Sequence, residues 1–129
     1  MRKYYFLFAM ILLVAACGTG TNKNSSADSI ATSSTTDITA NPDYVKGLAL
    51  VTNSDCLTCH QVEEKVTGPA FRAVADKYAG NDTAVTYLAH KIINGGGGVW
   101  GTVEMIPHNT LSESDAEQIV KYILLLKTK

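Results

Sequence analysis

The chain carries no surplus of charge of either sign: 11 lysines and arginines face 12 aspartates and glutamates over 129 residues, and no basic cluster interrupts the balance. Nucleic acid, whose phosphates demand concentrated positive charge, is therefore excluded as a partner. No apolar run is long enough to span a bilayer, which takes about 20 residues. The longest, Phe6 to Ala16, stops short of that. There is no internal repeat, no βαβ pattern and no convincing strand. Cysteine is scarce, with three in the whole chain, so each has to be accounted for individually.

The short apolar run has a use. Arg2 and Lys3 precede it and Cys17 closes it, which is the layout of a secretory signal peptide. Val14-Ala15-Ala16-Cys17 resembles the lipobox of bacterial lipoproteins, which implies cleavage before Cys17 and acylation of its thiol. A plain signal peptide cut elsewhere is the alternative. Loss of residues 1–16 takes the formal charge from −1 to −3, a mildly acidic surface suited to partners with basic docking patches. From residue 17 to 40 the chain is small and polar, GTGTNKNSSADSIATSSTTDITA after the cysteine. It has too little to bury to fold and is expected to be a disordered tether spanning roughly 25–30 Å. The folded domain is expected at residues 41–129.

Cys56-Leu57-Thr58-Cys59-His60 is the stretch with chemistry in it. Two thiols separated by two residues can each add to a vinyl group on a porphyrin edge. The histidine that follows is then held against the ring with a nitrogen aimed at iron, and C-x-x-C-H is the attachment signature of c-type haem. Cys17 for lipid and Cys56 and Cys59 for haem leave no cysteine for a disulfide. Export agrees with haem, since such haems are attached outside the cytoplasmic membrane. A zinc site drawing on another histidine remains an alternative, although adjacent Cys59 and His60 do not easily serve one tetrahedral ion. So does a thiol–disulfide oxidoreductase, which would want a βαβ setting that is missing here.

Around the motif the periodicity is helical. Asn41-Pro42 offers an N-cap and a proline at the first helical position, followed by Tyr44, Leu48 and Val51 at helical spacing. A second short helix follows Gly68-Pro69 and carries Phe71, Val74, Ala75 and Tyr78. A third, from about Thr83 to Asn94, lines up Val85, Leu88, Ala89 and Ile92 until Gly95 to Gly98 break it. The last starts at Ser112 with a capping-box pattern, buries Ile119, Tyr122, Ile123 and Leu126, and ends near Lys127 and Lys129, cations suited to the negative pole of the helix dipole. Four short helices make an all-α domain of about 89 residues, too small for a thick core. A covalent haem around which they wrap would remedy that.

Once residues 1–16 are removed, Met105 is the single methionine. It stands in Val99-Trp100-Gly101-Thr102-Val103-Glu104-Met105-Ile106-Pro107, a loop bounded by glycine and proline, where a core methionine is out of place and a metal ligand is not. Core filler is the competing reading.

With these residues in hand the chain resembles a small bacterial class I cytochrome c with one haem. Four blocks match in family order: the attachment motif, Gly68-Pro69-Ala70-Phe71, Gly98-Val99-Trp100-Gly101, and Met105 ahead of Pro107. The resemblance implies the class I fold, His60 and Met105 as axial ligands, and the Pro69 carbonyl as acceptor for the second His60 nitrogen. It implies Trp100 and Lys91 as partners of a haem propionate, and Gly47 and Tyr122 as the close crossing of the first and last helices. One departure stands out: His108 occupies the position three after the methionine where the family often has asparagine, with Asn109 next to it. His108 is then either a group near the haem whose ionisation affects the potential, an exposed loop histidine, or a rival ligand to Met105. His90 points away from the apolar face of its helix, towards solvent.

The function implied is one-electron transfer between respiratory redox proteins, without enzymatic activity, by a monomer tethered to a membrane through lipid on Cys17. A subunit of a larger oxidase or reductase, or a haem sensor or peroxidase with a labile distal ligand, are the alternative readings.

Overall fold

The structure, a computed structural model, describes residues 37–128. The signal peptide, Cys17, the tether up to residue 36 and Lys129 lie outside the described residues. The last residues assigned to the tether form a 3-10 turn, Ile38–Ala40, because the Asp37 carboxylate accepts from both the amide and the hydroxyl of Thr39.

Helix α1, Pro42–Asn53, begins as its sequence requires: Asn41 Oδ1 accepts from the Asp43 amide at 2.8 Å and Pro42 occupies the first turn. Helix α2 is a single turn, Cys56–Cys59, and α3 spans Phe71–Tyr78. Helix α4, Ala84–Asn94, ends at Gly95, whose φ of +70° reverses the chain. Helix α5, Glu113–Leu125, starts with the Ser112 hydroxyl accepting from the Asp115 amide at 3.1 Å, as the capping pattern predicts.

Two features depart from the expected four helices without strands. The attachment motif coils into its own turn, α2. Residues read as irregular form an antiparallel hairpin, β1 Gly96–Gly98 with β2 Gly101–Met105, pairing Gly96 with Met105 and Gly98 with Gly101. Both strands are almost wholly exposed, and one is all glycine. β1 has no side chains to alternate, and the alternation of Thr102-Val103-Glu104-Met105 in β2 is a single short run.

The core is a continuous cluster drawn from α1, α3, α4 and α5, centred on Val51, Ile119 and Val120, with Phe71, Val74, Ala89, Ile92, Tyr122 and Ile123 around them. No polar or charged residue is buried among the described residues. Helices α1 and α5 cross where expected. A side chain at Gly47 would run into Tyr122 Cβ and come 2.7 Å from the Gln118 carbonyl oxygen. Tyr44 packs edge-on against Tyr122 and Gln118 hydrogen-bonds the Asp43 backbone and carboxylate across the same crossing.

The end of α5 gains a cation that the sequence did not point to. No basic residue lies in its last turn. Arg72, carried on α3, donates to the Leu126 carbonyl and clasps Glu63 as well. A guanidinium delivered by packing therefore serves the end of α5, where Lys127 follows the cap and Lys129 lies outside the described residues.

Candidate functional site

The single turn of α2 explains the spacing of its cysteines. Three residues apart on a helix, Cys56 and Cys59 emerge on one side, and both are half-buried free thiols. His60 ends the turn. Its amide still donates to the Cys56 carbonyl at 3.0 Å, while its φ of −122° and ψ of 146° swing the chain into extended backbone.

The imidazole is then fixed on three sides. Its Nδ1 lies 2.8 Å from the Pro69 carbonyl oxygen; a carbonyl only accepts, so Nδ1 carries the proton and Nε2 keeps a free lone pair. The ring stacks on Phe71 with centroids 5.3 Å apart and planes 13° from parallel. Gly68, held by a 2.8 Å hydrogen bond from its amide to the Cys59 carbonyl, packs closely against the ring.

Met105 comes from the far end of the hairpin, half-buried and packed against the core cluster. Its backbone lies directly over Gly95, where a side chain would strike the Met105 carbonyl oxygen and come within 3.0 Å of the Pro107 nitrogen.

These elements enclose a cavity of about 520 Å³, within the usual range for a small-molecule site. Cys56, Cys59, His60, Pro69, Lys91, Trp100 and Met105, predicted from as far apart as residues 56 and 105, all line it. The inner wall is apolar, from Phe71, Val74, Leu88, Ile92, Ile119, Val120 and Ile123. Val99, Val103 and Ile106 also line it and are left exposed. Two half-buried thiols, an imidazole nitrogen free to ligate, a thioether and a broad apolar lining are the donor set and the surface that a covalently attached haem needs.

The peripheral residues are placed less tightly. Trp100 sits at the hairpin tip, with the Lys77 ammonium 5.5 Å from its ring centroid. Lys91 rises from α4 beside Tyr87, its ammonium 5.9 Å from that ring. His90 is exposed, as expected.

His108 is not the exposed loop residue that one reading allowed. Its side chain is 14% exposed and Nε2 lies 2.9 Å from Asp55 Oδ1, while Asn109 stays on the surface. Asp55 escaped the sequence reading, as did Lys77 over Trp100. Asp55 adjoins the motif, but nothing local indicates a partner 53 residues away. The stack of Phe71 on His60 was equally hidden, since Phe71 registers as an apolar helix position and as the end of the Gly68-Pro69-Ala70-Phe71 block, neither of which names a partner for it.

Two other chemistries fare poorly. Burial, reinforced by the neighbouring Asp55 charge, pushes the Cys56 thiol above its ordinary value, whereas a redox-active dithiol needs a lowered one. Among the described residues no three His, Cys, Asp or Glu side chains gather as a zinc ion would require.

Comparison with known proteins agrees with this geometry. The family model described as Cytochrome c matches residues 44–127. Cytochrome c-552 of Nitrosomonas europaea is 49% identical over 78 residues, covering 60% of this chain and 76% of that protein. Cytochrome c-551 of Pseudomonas aeruginosa is 41% identical over 78 residues, covering 60% and 74%. The crystal structure of the wild-type Nitrosomonas europaea cytochrome c552 superimposes with a TM-score of 0.60 at 48% identity, over 62% of this chain and 99% of that one. The class 1 cytochrome MtoD of Sideroxydans lithotrophicus gives a TM-score of 0.55 at 27% identity, over 64% and 94%.

Proposed function

The chain belongs to the cytochrome c family, and from that premise we propose that it ferries single electrons at a membrane surface, its haem iron held between His60 and Met105. The domain has the class I fold and carries one haem c, bound covalently through Cys56 and Cys59. It is an electron carrier, not an enzyme, and it exchanges electrons with redox proteins.

When bound, haem c supplies a ferrous–ferric couple that takes up or releases one electron. The chain's own residues decide how. Cys56 and Cys59 fasten the group to a rigid helical turn. The Pro69 carbonyl commits the Nδ1 proton of His60, which fixes the ring and makes Nε2 a better donor. Met105 offers a soft thioether, which favours the reduced state relative to a second histidine. His60 and Met105 would both hold the iron, which would leave no place for a substrate or gas and separates this reading from a sensor or a peroxidase. The apolar wall of Val74, Ile119, Val120 and Ile123 keeps water out, so little has to reorganise when the charge changes. Lys91 and the Trp100 indole N–H are the partners for the acidic edge of the haem.

The observation that carries the ligand assignment is the 2.8 Å contact from His60 Nδ1 to the Pro69 oxygen, which leaves the second nitrogen free on a ring lining the same cavity as the two thiols and Met105.

Export and lipid attachment at Cys17 complete the reading. They rest on the charged, apolar and small-residue order of residues 1–17. Among the described residues no helix is long and apolar enough to cross a membrane. A lipid anchor with a polar tether would hold the monomeric domain near membrane-bound donors and acceptors and raise its effective concentration there.

Haem that stays on the polypeptide through denaturing electrophoresis, and is freed by Cys56→Ala/Cys59→Ala, tests the attachment. Met105→Ala should abolish the ferric thioether absorption and open the iron to added ligands. An unchanged spectrum would remove Met105 from the site. Cys17→Ser should move the protein from the membrane to the soluble fraction, and a distribution like wild type would dispose of the anchor.

A further inference from the structure

The side chains of Asp55 and His108 meet although 53 residues separate them. Asp55 immediately precedes Cys56, and His108 follows Met105 by three residues. One hydrogen bond thus joins the arm that holds the haem-binding motif to the arm that holds the methionine. We propose that this pair is a staple that positions Met105, setting how readily the methionine gives up the iron. The proposal rests on Met105 being the ligand.

Four observations carry it. First, Asp55 occupies the N-cap of α2, where an aspartate ordinarily accepts from its own helix amides. Here its side chain makes no such bond and goes to His108 instead. The carboxylate is spent on a tertiary contact and not on a local one.

Second, the backbone at His108 is anchored. Its amide donates to the Ile92 carbonyl at 3.0 Å, and its carbonyl accepts from the Leu111 amide at 3.1 Å. A ring on so fixed a backbone transmits position to the loop beside it.

Third, beyond those backbone bonds no other side chain of the loop is hydrogen-bonded. Among the described residues of 106–111, His108 makes the only side-chain hydrogen bond, and Ile106 next to Met105 is 62% exposed.

Fourth, the His108 ring belongs to the site. It lines the cavity, and its Nδ1 is buried without a protein partner. A ring there only to meet solvent would keep both nitrogens wet. Since the carboxylate can only accept, Nε2 carries the proton of the bond to Asp55.

The test uses the full-length ferric holoprotein at neutral pH. Added imidazole competes with Met105 for the iron, and visible absorption follows the exchange. Asp55→Ala and His108→Ala should each tighten imidazole binding roughly five- to tenfold, as expected for loss of one hydrogen bond. The double variant should do no more than either single change, because both remove the same bond. Asp55→Asn, whose amide oxygen accepts the same proton, should stay close to wild type. Both alanine variants should also lower the reduction potential, since a loosened thioether favours ferrous iron less.

Met105→Ala serves as the reference and should bind imidazole far more tightly than any of them. If it does while the two alanine variants match wild type, or if their effects add, the staple is overturned and the ligand assignment stands. If Met105→Ala binds imidazole no better than wild type, the ligand assignment fails and the staple falls with it. Should His108→Ala lose its haem, Asp55→Ala, at an exposed position, decides the question by itself.

Discussion

Gly68 lies flat against His60, so close that a methyl group on it would stand 2.7 Å from both ring nitrogens. Phe71 stacks on the ring and the Pro69 carbonyl holds its Nδ1, so the ring cannot shift without giving up one of these contacts. Gly68→Ala should therefore displace the imidazole and weaken its hold on the iron. We expect a loss of about 1–3 kcal/mol in stability, the usual cost of overpacking, together with a lower yield of haem-loaded protein. Thermal melts and haem content per chain check this; a variant equal to wild type in both would show that the ring has slack.

Gly95 presents the same problem at the other axial residue. With φ of +70° and ψ of −156° its backbone is in a region that is essentially glycine's alone, and the Met105 carbonyl leaves no room for a Cβ. Gly95→Ala should push the hairpin away from α4 and shift Met105. The expected result is easier binding of added imidazole and a lower reduction potential, with helix content retained by circular dichroism. A potential unchanged from wild type would count against this.

At the crossing of α1 and α5, Gly47→Ala pits two effects against each other. Alanine favours an isolated helix by about 1 kcal/mol, but here its methyl would meet Tyr122 Cβ and the Gln118 carbonyl, and backbone does not yield cheaply. Overpacking of about 1–3 kcal/mol should win. The unfolding midpoint should fall while the spectrum of the folded protein stays the same. A higher midpoint would mean that the helices separate without cost.

Acid should loosen the C-terminal end of the domain. Asp76 accepts the Thr128 amide at 2.6 Å and its hydroxyl at 2.8 Å, and these bonds, aided by the Arg72 charge, hold its carboxyl below the ordinary value. Glu63 is lowered in the same direction by hydrogen bonds from Arg72. A carboxyl whose folded pKa is depressed contributes fully above its unfolded value, about 3.9 for Asp and 4.3 for Glu. That contribution is lost as pH falls through the lower folded value. Wild type should therefore melt higher than Asp76→Asn near pH 6, and the gap should close below about pH 4. Both groups are exposed, so the gap will be small; a gap that does not change with pH would refute the assignment.

Much of this protein is legible in short windows of its sequence. The caps at Asn41 and Ser112, the breaker at Gly95 and the apolar faces of the helices each depend on groups within one or two turns. Covalent geometry and backbone hydrogen bonding decide those by themselves. The spacing of Cys56, Cys59 and His60 is equally local, which is why the motif announces its cofactor without a fold. The hairpin escaped because glycine-rich, exposed strands leave no pattern of burial to read.

The pairings that shape the site were decided by packing. Asp55, at the start of α2, reaches His108; Arg72, from α3, donates to the Leu126 carbonyl at the end of α5; Phe71, one apolar helix position among several, becomes the surface on which His60 stacks. In each case a side chain has several partners of similar strength. The choice falls to whichever group the assembled helices bring within about 3 Å, and no window of neighbouring residues contains that distance.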